Sequence, residues 1–376
     1  MTDPTRREFL GLAAGATATL TIAPELLFAR PRPQAAPLRV GVIGIGRQGR
    51  DILDELLKID NVEIAALCDV VPTRLSAGAE RAPQAARYAE HGALLTEARD
   101  LGAIVVATPT HTHREIATAA LLAGHHVYCE APLAHTVDDA RAIAAAASSA
   151  GKLLQPGLLA PANPLWQRAR ALARSDSVRS VAAMYAQDHR KTSWRFPAAS
   201  PALERAANWR LDPDLSLGIE GEFGSHQLAA LAWLRSRPPQ RIRGHGTISL
   251  HDDGRSLPDT VLLEVLWEDG TAAAWSGTLA NSFGGRHEIV YGSMGAIRLA
   301  DTHAWMFKEA DAPTQGWEVY AARQQFHRDE GIILIADATR LAAQGQLREG
   351  AGLPFPPLYY ALVEFVKSID EARASA

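Results

Sequence analysis

The sequence predicts an α/β protein: a doubly wound parallel sheet comes first, and a second α/β domain built on a largely antiparallel sheet follows it. Three observations lead there. Apolar runs of strand length alternate with helically spaced segments as far as about residue 158. A glycine cluster joins the first strand to the first helix. Beyond about residue 160 the pattern turns to alternating strands punctuated by Gly, Asp-Gly and Pro. A chain of 376 residues with 47% hydrophobic and 21% charged side chains has the composition of a soluble globular protein and the length for two domains. A net charge of −4 and a pI near 6.4 give no reason to expect a nucleic acid or an anionic membrane as partner.

Elements follow in order. "TRREFLG" (Thr5 to Gly11) leads into the weakly apolar "LAAGATATLTIA". Twin arginines ahead of Phe-Leu and a short apolar core mark a twin-arginine export signal, so residues 1–36 are read as signal and linker and the location as periplasmic or otherwise exported. Thr17, Thr19, Thr21 and Pro24 make that run a poor membrane-spanning helix, and no span is expected in the mature form. Residues 37–158 are the first domain. "LRVGVIGIGRQGRDILDELLK" is a strand, a glycine turn and a helix with apolar spacing at Ile52, Leu56 and Ile59. "VEIAALCDV", "LGAIVVATP", the end of "HREIATAALLAGHHVYCEAP" and "KLLQPGLLA" supply further strands. Thr136 caps a helix that stops at Gly151. Cys68 and Cys129 sit in apolar strand-like runs as two buried thiols, with a bridge between them left open.

Residues 159–376 form the second domain. Its strands are "SVRSVAAMYAQD", "IRGHGTISLHD", "TVLLEVLWEDG", "TAAAWSGTLA" and "HEIVYGSMGAIRLAD", interrupted by a helix over 218–234. "HDDGR" (His251 to Arg255) reads as a turn, and no metal site is expected.

The nucleotide site is legible as a pattern. "GIGRQG" places Gly44, Gly46 and Gly49 in the G-x-G-x-x-G spacing, with Ile45, Arg47 and Gln48 between them, after a strand and opening a helix. Asp69 stands twenty residues past Gly49 at the end of the next strand. This is the Rossmann arrangement, with pyrophosphate on a helix N-terminus and a carboxylate on the adenosine ribose. Asp69 favours NAD because a 2′-phosphate would face its charge; Arg74 nearby softens that preference and leaves NADP open.

"VIGIGRQG", "ATPTHTHREIATAALLAGHHVYCEAPLAHTVDDA" and "GEFGSHQLAALAWL", in that order, resemble the Gfo/Idh/MocA oxidoreductases, the family of glucose–fructose oxidoreductase and inositol dehydrogenase, here in an exported branch. The resemblance covers nearly everything from Leu38 onward. It implies a C-terminal α/β domain whose large open sheet serves for homo-oligomerisation, and a small carbohydrate substrate held over the nicotinamide. It further implies that Thr108, Pro109 and His113 form a cofactor-side turn, with Thr110 where Asn is usual. Glu130 and Pro132 match a Glu-Lys-Pro turn whose lysine is here Ala131. Glu222 and His226 match a helical Asp-x-x-x-His pair. A spacing of four puts both on one helical face, so that the carboxylate can orient the imidazole, which serves as general base. Trp194, Arg195, Trp209 and Arg210, clustered just before that helix, suit a polyhydroxylated ligand. Many relatives continue past "VEFVKSIDEARASA" into a segment that packs back on the nucleotide domain, so a missing inter-domain brace is expected here.

Three functions fit these residues. The first is an NAD(P)-dependent oxidoreductase of a sugar or cyclitol with tightly bound cofactor. The second is a redox-neutral, NAD-dependent glycoside hydrolase working through a transient 3-keto sugar. The third is a catalytically impaired nucleotide-binding partner, suggested by Ala131.

Overall fold

A computed structural model describes residues 36–198, 200–314, 322–326, 331–335 and 351–375. The expected export signal falls, up to residue 35, outside the described residues.

The first sheet has six parallel strands in the order β3-β2-β1-β4-β5-β6. These are β1 (Leu38–Ile43), β2 (Val62–Cys68), β3 (Ala86–Tyr88), β4 (Ala103–Val106), β5 (His126–Cys129) and β6 (Leu154–Pro156). All four residues of β4 are buried, as expected of a central strand covered on both faces. Helices α1 (Arg47–Leu56), α2 (Pro72–Arg81), α3 (His91–Glu97), α4 (His113–Leu122) and α5 (Val137–Ala150) connect the strands. Thr136 accepts a hydrogen bond from the Asp139 amide at the start of α5, and Gly151 ends that helix with a left-handed φ of 59°. Cys68 and Cys129 are both buried and free. Burial, helped by Asp69 and Glu90, pushes the Cys68 thiol up to about 12, so it is a packing residue rather than a nucleophile.

The second sheet is mostly antiparallel and runs β14-β15-β13-β12-β11-β7-β10-β9-β8, with β16 (Ala351–Gly352) paired to β13. The strands expected from sequence appear as β7 (Val181–His189), β8 (Arg241–Thr247), β9 (Thr260–Leu266), β10 (Ala272–Thr278), β11 (Arg286–Gly292) and β12 (Gly295–Ala300). Strands β13 (His303–Glu309), β14 (Ala322–Phe326) and β15 (Gly331–Ile335) extend it. Among the described strands of this sheet, only β7 and β10 pair in parallel. One face carries Met184, Ala186, Val261, Val265, Trp275 and Val290, packed against α6 (Pro164–Ala173) and α7 (Ser225–Arg235). The opposite face leaves Leu262 and Tyr291 exposed.

The missing brace is corrected by the last helix, α8 (Pro357–Ser375). Leu358, Ala361, Leu362, Phe365, Val366 and Ile369 belong to the same buried cluster as Leu38, Ile52 and Leu56 of the nucleotide domain. The Phe365 ring meets Tyr128 edge-on at 5.8 Å. Gln155 Nε2 donates to the Ala361 carbonyl at 2.8 Å, and Asn61 Nδ2 to Asp370 Oδ2 at 2.7 Å. The stretch read as stopping short of a brace is itself the brace.

Candidate active site

The glycine turn between β1 and α1 has the shape that a pyrophosphate needs. Gly44 has φ +94°, and a Cβ there would lie 2.6 Å from the Ala107 carbonyl oxygen. A Cβ on Gly49 would fall 1.8 Å from the Gly44 oxygen, so only glycine lets α1 start so close to the strand. Gly46 differs: nothing lies within 4 Å of where its Cβ would be. That open space at the N-terminus of α1 is where a phosphate would sit against free backbone amides. Asp69 is buried at the end of β2, where its Oδ2 accepts from the Ile45 amide at 2.7 Å and its Oδ1 from Val71 at 2.8 Å. These bonds fix the carboxylate at the turn and leave lone pairs for a ribose hydroxyl. Arg47 is exposed beside them.

The next two turns are tied together by His113. It is buried, with Nε2 2.9 Å from the Thr108 carbonyl oxygen and Nδ1 3.0 Å from that of Pro132. Burial, above all, holds its pKa below the usual histidine value. His113 therefore acts on a cofactor only by holding the Thr108-Pro109 and Glu130-Pro132 turns in place. Glu130 bridges those turns to the glycine loop. Its Oε1 accepts from Gln48 Nε2 at 3.0 Å and its Oε2 from the Ala131 amide at 3.0 Å. Burial outweighs both bonds and pushes its carboxyl up to about 7.

The Glu222–His226 pair does not form as its spacing suggests. Residues Glu220–Gly224 make a π-helical turn that leads into α7. In that wider turn a spacing of four no longer stacks side chains on one face. Glu222 turns instead toward the nucleotide domain, where both its oxygens accept from Thr110 Oγ1, at 3.2 and 3.3 Å. Arg210 Nε lies 3.9 Å from Oε2. Burial raises the Glu222 pKa, with Arg210 and Thr110 opposing. His226 has no hydrogen-bond partner at its buried Nδ1. Burial foremost, then the nearby Arg286 and Arg190 guanidinium groups, push the imidazole down to about 3, while a backbone contact with Ala131 pulls the other way. A neutral His226 thus stands beside the position where the family lysine would be.

What positions His226 is its neighbour. Gln227 is fully buried; its Oε1 accepts from Trp275 Nε1 at 2.8 Å. Its Nε2 donates to Glu288 Oε1 at 2.7 Å and to the Gln187 carbonyl at 2.9 Å. These bonds pin the first turn of α7 to the second sheet. Sequence reasoning missed Gln227, Arg286 and Glu288, because nothing in a strand's own alternation announces which helix will lie across it. It also missed that Gln48 reaches Glu130 across 82 positions of chain.

The substrate cluster is mostly structural. Trp194 is buried edge-on against Phe223 at 4.8 Å. Arg195 is held by Asp253, at 2.9 Å, and by Glu204, also at 2.9 Å. Asp253 accepts in addition from Arg255, so "HDDGR" is more than a turn: it clamps the loop that carries Trp194. Trp209 is buried, with the Arg210 guanidinium 4.4 Å from its ring centroid. Of the four, Arg195 has its side chain tied by hydrogen bonds to described residues, whereas the Arg210 guanidinium is stacked and faces Glu222 at 3.9 Å. Among the described residues no group of three or more His, Cys, Asp or Glu could hold a metal ion.

A cleft of about 370 Å³ is lined by Gln48 in the first turn of α1 and by His226 of α7, with Asn163, Trp166, Arg286, Glu288 and the acids Asp51, Asp54, Glu55 and Asp301. Fold and site together define an NAD-binding Rossmann protein with a second sheet closing over the nucleotide end. The Gfo/Idh/MocA oxidoreductase profile for the NAD-binding Rossmann fold matches residues 38–158, and that family's C-terminal domain profile matches residues 167–298. The chain belongs to the Gfo/Idh/MocA family. It is similar to inositol 2-dehydrogenase of Salmonella paratyphi B, 33% identical over 32% of this chain and 37% of that protein. It is also similar to a glycosyl hydrolase family 109 protein of Stenotrophomonas maltophilia, 31% identical over 36% of this chain and 31% of that one. The chain thus spans about a third of the length of these curated relatives. An oxidoreductase domain protein from Kribbella flavida shares the fold, with a TM-score of 0.70 at 21% identity over 89% of this chain and 90% of that one.

Proposed function

We propose that this protein is a nicotinamide-dependent oxidoreductase that acts on a sugar or cyclitol, is exported by the twin-arginine route and carries its cofactor with it. The observation that carries this reading is the unpartnered, buried Nδ1 of His226 in a cleft that also reaches the glycine loop. A buried polar atom without a partner marks a place where a ligand group completes the bonding. The open space at Gly46 and the fixed Asp69 suit a dinucleotide, and Asp69 favours NAD over NADP. When bound there, a nicotinamide supplies the hydride acceptor.

The chain's own residues do the rest. His226 offers its unpartnered Nδ1 to the substrate hydroxyl and accepts its proton as the carbon gives up hydride and becomes a carbonyl, a role that requires the bound ligand to lift its basicity from about 3 toward neutrality. Gln48 and Glu130 fix the turn beside which that carbon must sit, and the Thr110–Glu222 bond closes the nucleotide domain onto the π-helical turn. Ala131 removes one cation from the reacting oxygen, which slows simple alcohol oxidation. The exposed face bearing Leu262 and Tyr291 supports homo-oligomerisation through the second sheet.

A second reading, redox-neutral cleavage of glycosides through a transient 3-keto sugar, is favoured by the similarity to family 109 proteins. Export favours it too, since a captive cofactor must be regenerated in each cycle. The two readings separate on incubation with aryl glycosides and no added NAD. Release of the aglycone supports cleavage. Reduction of bound cofactor without release supports the dehydrogenase.

A further inference from the structure

His226 and Arg286 are held in one frame. Gln227, the residue after His226 in α7, donates from Nε2 to Glu288 Oε1 at 2.7 Å and to the His287 carbonyl at 3.2 Å. These bonds fasten the first turn of α7 to the stretch of β11 that begins at Arg286. Strand alternation puts Arg286 and Glu288 on one face of β11, the face from which Val290 enters the core beneath α7. There the two form an ion pair, with Arg286 Nε 3.7 Å from Glu288 Oε1. Both line the cleft with His226, whose buried Nδ1 has no partner. The imidazole thus has Arg286 beside it, and it meets the backbone of Ala131 as well.

Pairing with Glu288 orients Arg286 without using it up. The approach is at Nε and lies beyond hydrogen-bond range, and Glu288 Oε1 is already taken by Gln227. The side chain keeps 27% of its surface open. Arg190, the other guanidinium beside His226, is spent: its Nε and Nη2 bond the two oxygens of Asp188 at 2.6 and 2.8 Å. A guanidinium remains charged whatever its partner does, so Arg286 can donate whether or not Glu288 is ionised. It is also the one cationic side chain that lines the cleft with His226; the acids Asp51, Asp54, Glu55, Glu288 and Asp301 surround it. Such a lining disfavours a ligand that is anionic from the start. It suits a neutral hydroxyl compound that becomes negative only as it reacts. When the hydroxyl proton passes to His226, the C–H electron pair leaves as hydride for the nicotinamide. Until the C=O bond is complete, the oxygen carries negative charge, and a donor fixed beside it lowers the barrier.

We infer that Arg286 is a catalytic residue: its guanidinium donates to the substrate oxygen whose proton His226 removes, and so supplies the positive charge that Ala131 does not. This rests on the oxidoreductase reading. The full-length, cofactor-loaded protein and its Arg286→Gln and Arg286→Lys variants are mixed with glucose, galactose and inositol, and nicotinamide reduction is followed as the sugar concentration is varied. Arg286→Gln is expected to lower the rate at saturating sugar by about 10²-fold, with the half-saturating concentration changed less than about threefold, because the donor acts on charge that develops during the reaction. Arg286→Lys keeps the charge without the planar fork; it should retain more of the rate, and it carries the test if Arg286→Gln does not fold. Ala131→Lys added to Arg286→Gln should restore at least about tenfold, a larger factor than the same substitution gives in wild type. The His226 imidazole, followed by NMR, should titrate at higher pH in Arg286→Gln, a shift that a merely structural arginine would not produce. A saturating rate within about twofold of wild type in Arg286→Gln, a loss confined to the half-saturating concentration, or an unmoved His226 titration would overturn the inference. Cofactor that stays oxidised in the wild-type protein with every sugar removes the oxidoreductase reading, and the catalytic role of Arg286 with it, even where the His226 titration moves.

Discussion

Replacing Glu130 with Gln separates the stability of the cofactor turn from its function. In the folded protein burial lifts this carboxyl from 4.5 to about 7, against the bonds from Gln48 and Ala131. A raised carboxyl favours the folded state below the unfolded value, near pH 4.5, and loses that contribution as pH rises through 7. At ~1.36 kcal/mol per pH unit, a rise of about 2.5 units makes ionised Glu130 cost on the order of 3 kcal/mol above pH 7. Gln mimics the protonated side chain, which likewise offers one carbonyl oxygen to the two donors. Near pH 4.5 wild type and Glu130→Gln should therefore unfold alike. By pH 8 the variant should be more stable by about 3 kcal/mol while binding NAD less well. Chemical unfolding of cofactor-free protein at pH 5, 6, 7 and 8 reads this out. A stability difference that does not change with pH, or that grows toward acid, would refute the assignment of a buried, half-ionised Glu130.

The other predictions test neighbouring parts. Gly46→Val should leave unfolding within about 0.5 kcal/mol of wild type, since a side chain there meets only open space, yet should abolish dinucleotide binding; retained binding by equilibrium dialysis would contradict the phosphate site. Ala131→Lys restores a cation beside His226 and should raise dehydrogenase turnover, by up to ~10²-fold; steady-state kinetics showing no change or a fall would count against the mechanism. Phe365→Ala should lower stability by about 3–5 kcal/mol in thermal or denaturant unfolding, because α8 is wedged into the core of the nucleotide domain; a loss under 1 kcal/mol would mean that the helix is not the brace.

Much of the fold could be read from the chain because its cues are local. The strand, the glycine turn and the following helix are contiguous, and Gly44, Gly46 and Gly49 play separable steric roles that their spacing already implies. The five strand segments foreseen in the second sheet announced themselves by alternation with turn residues, and the last of them folds as the pair β11 and β12. What could not be read depends on contacts distant in sequence. The brace was hidden because an amphipathic stretch at residues 357–375 does not say which core it enters. The site was half legible. Glu130 and His226 were visible, but their surroundings were not, since Gln48, Gln227 and Arg286 reach them across the chain. The Glu222–His226 pair failed for a local reason: the spacing argument assumes α-helical pitch, and Glu220–Gly224 winds as a π-helix. Arg195 was misplaced because the acid that binds it, Asp253, lies 58 positions away.

The central claim is that His226 acts as the proton acceptor of a dinucleotide site. It is tested most directly by mixing the purified, cofactor-loaded protein and its His226→Asn variant with acidic and neutral sugars and recording nicotinamide absorbance over a single turnover. Reduction of bound cofactor in wild type, with a loss of at least about 10²-fold in the variant and unchanged cofactor content, is the predicted result. A variant that reduces its cofactor as fast as wild type, or a wild-type protein that carries and binds no dinucleotide, would contradict it.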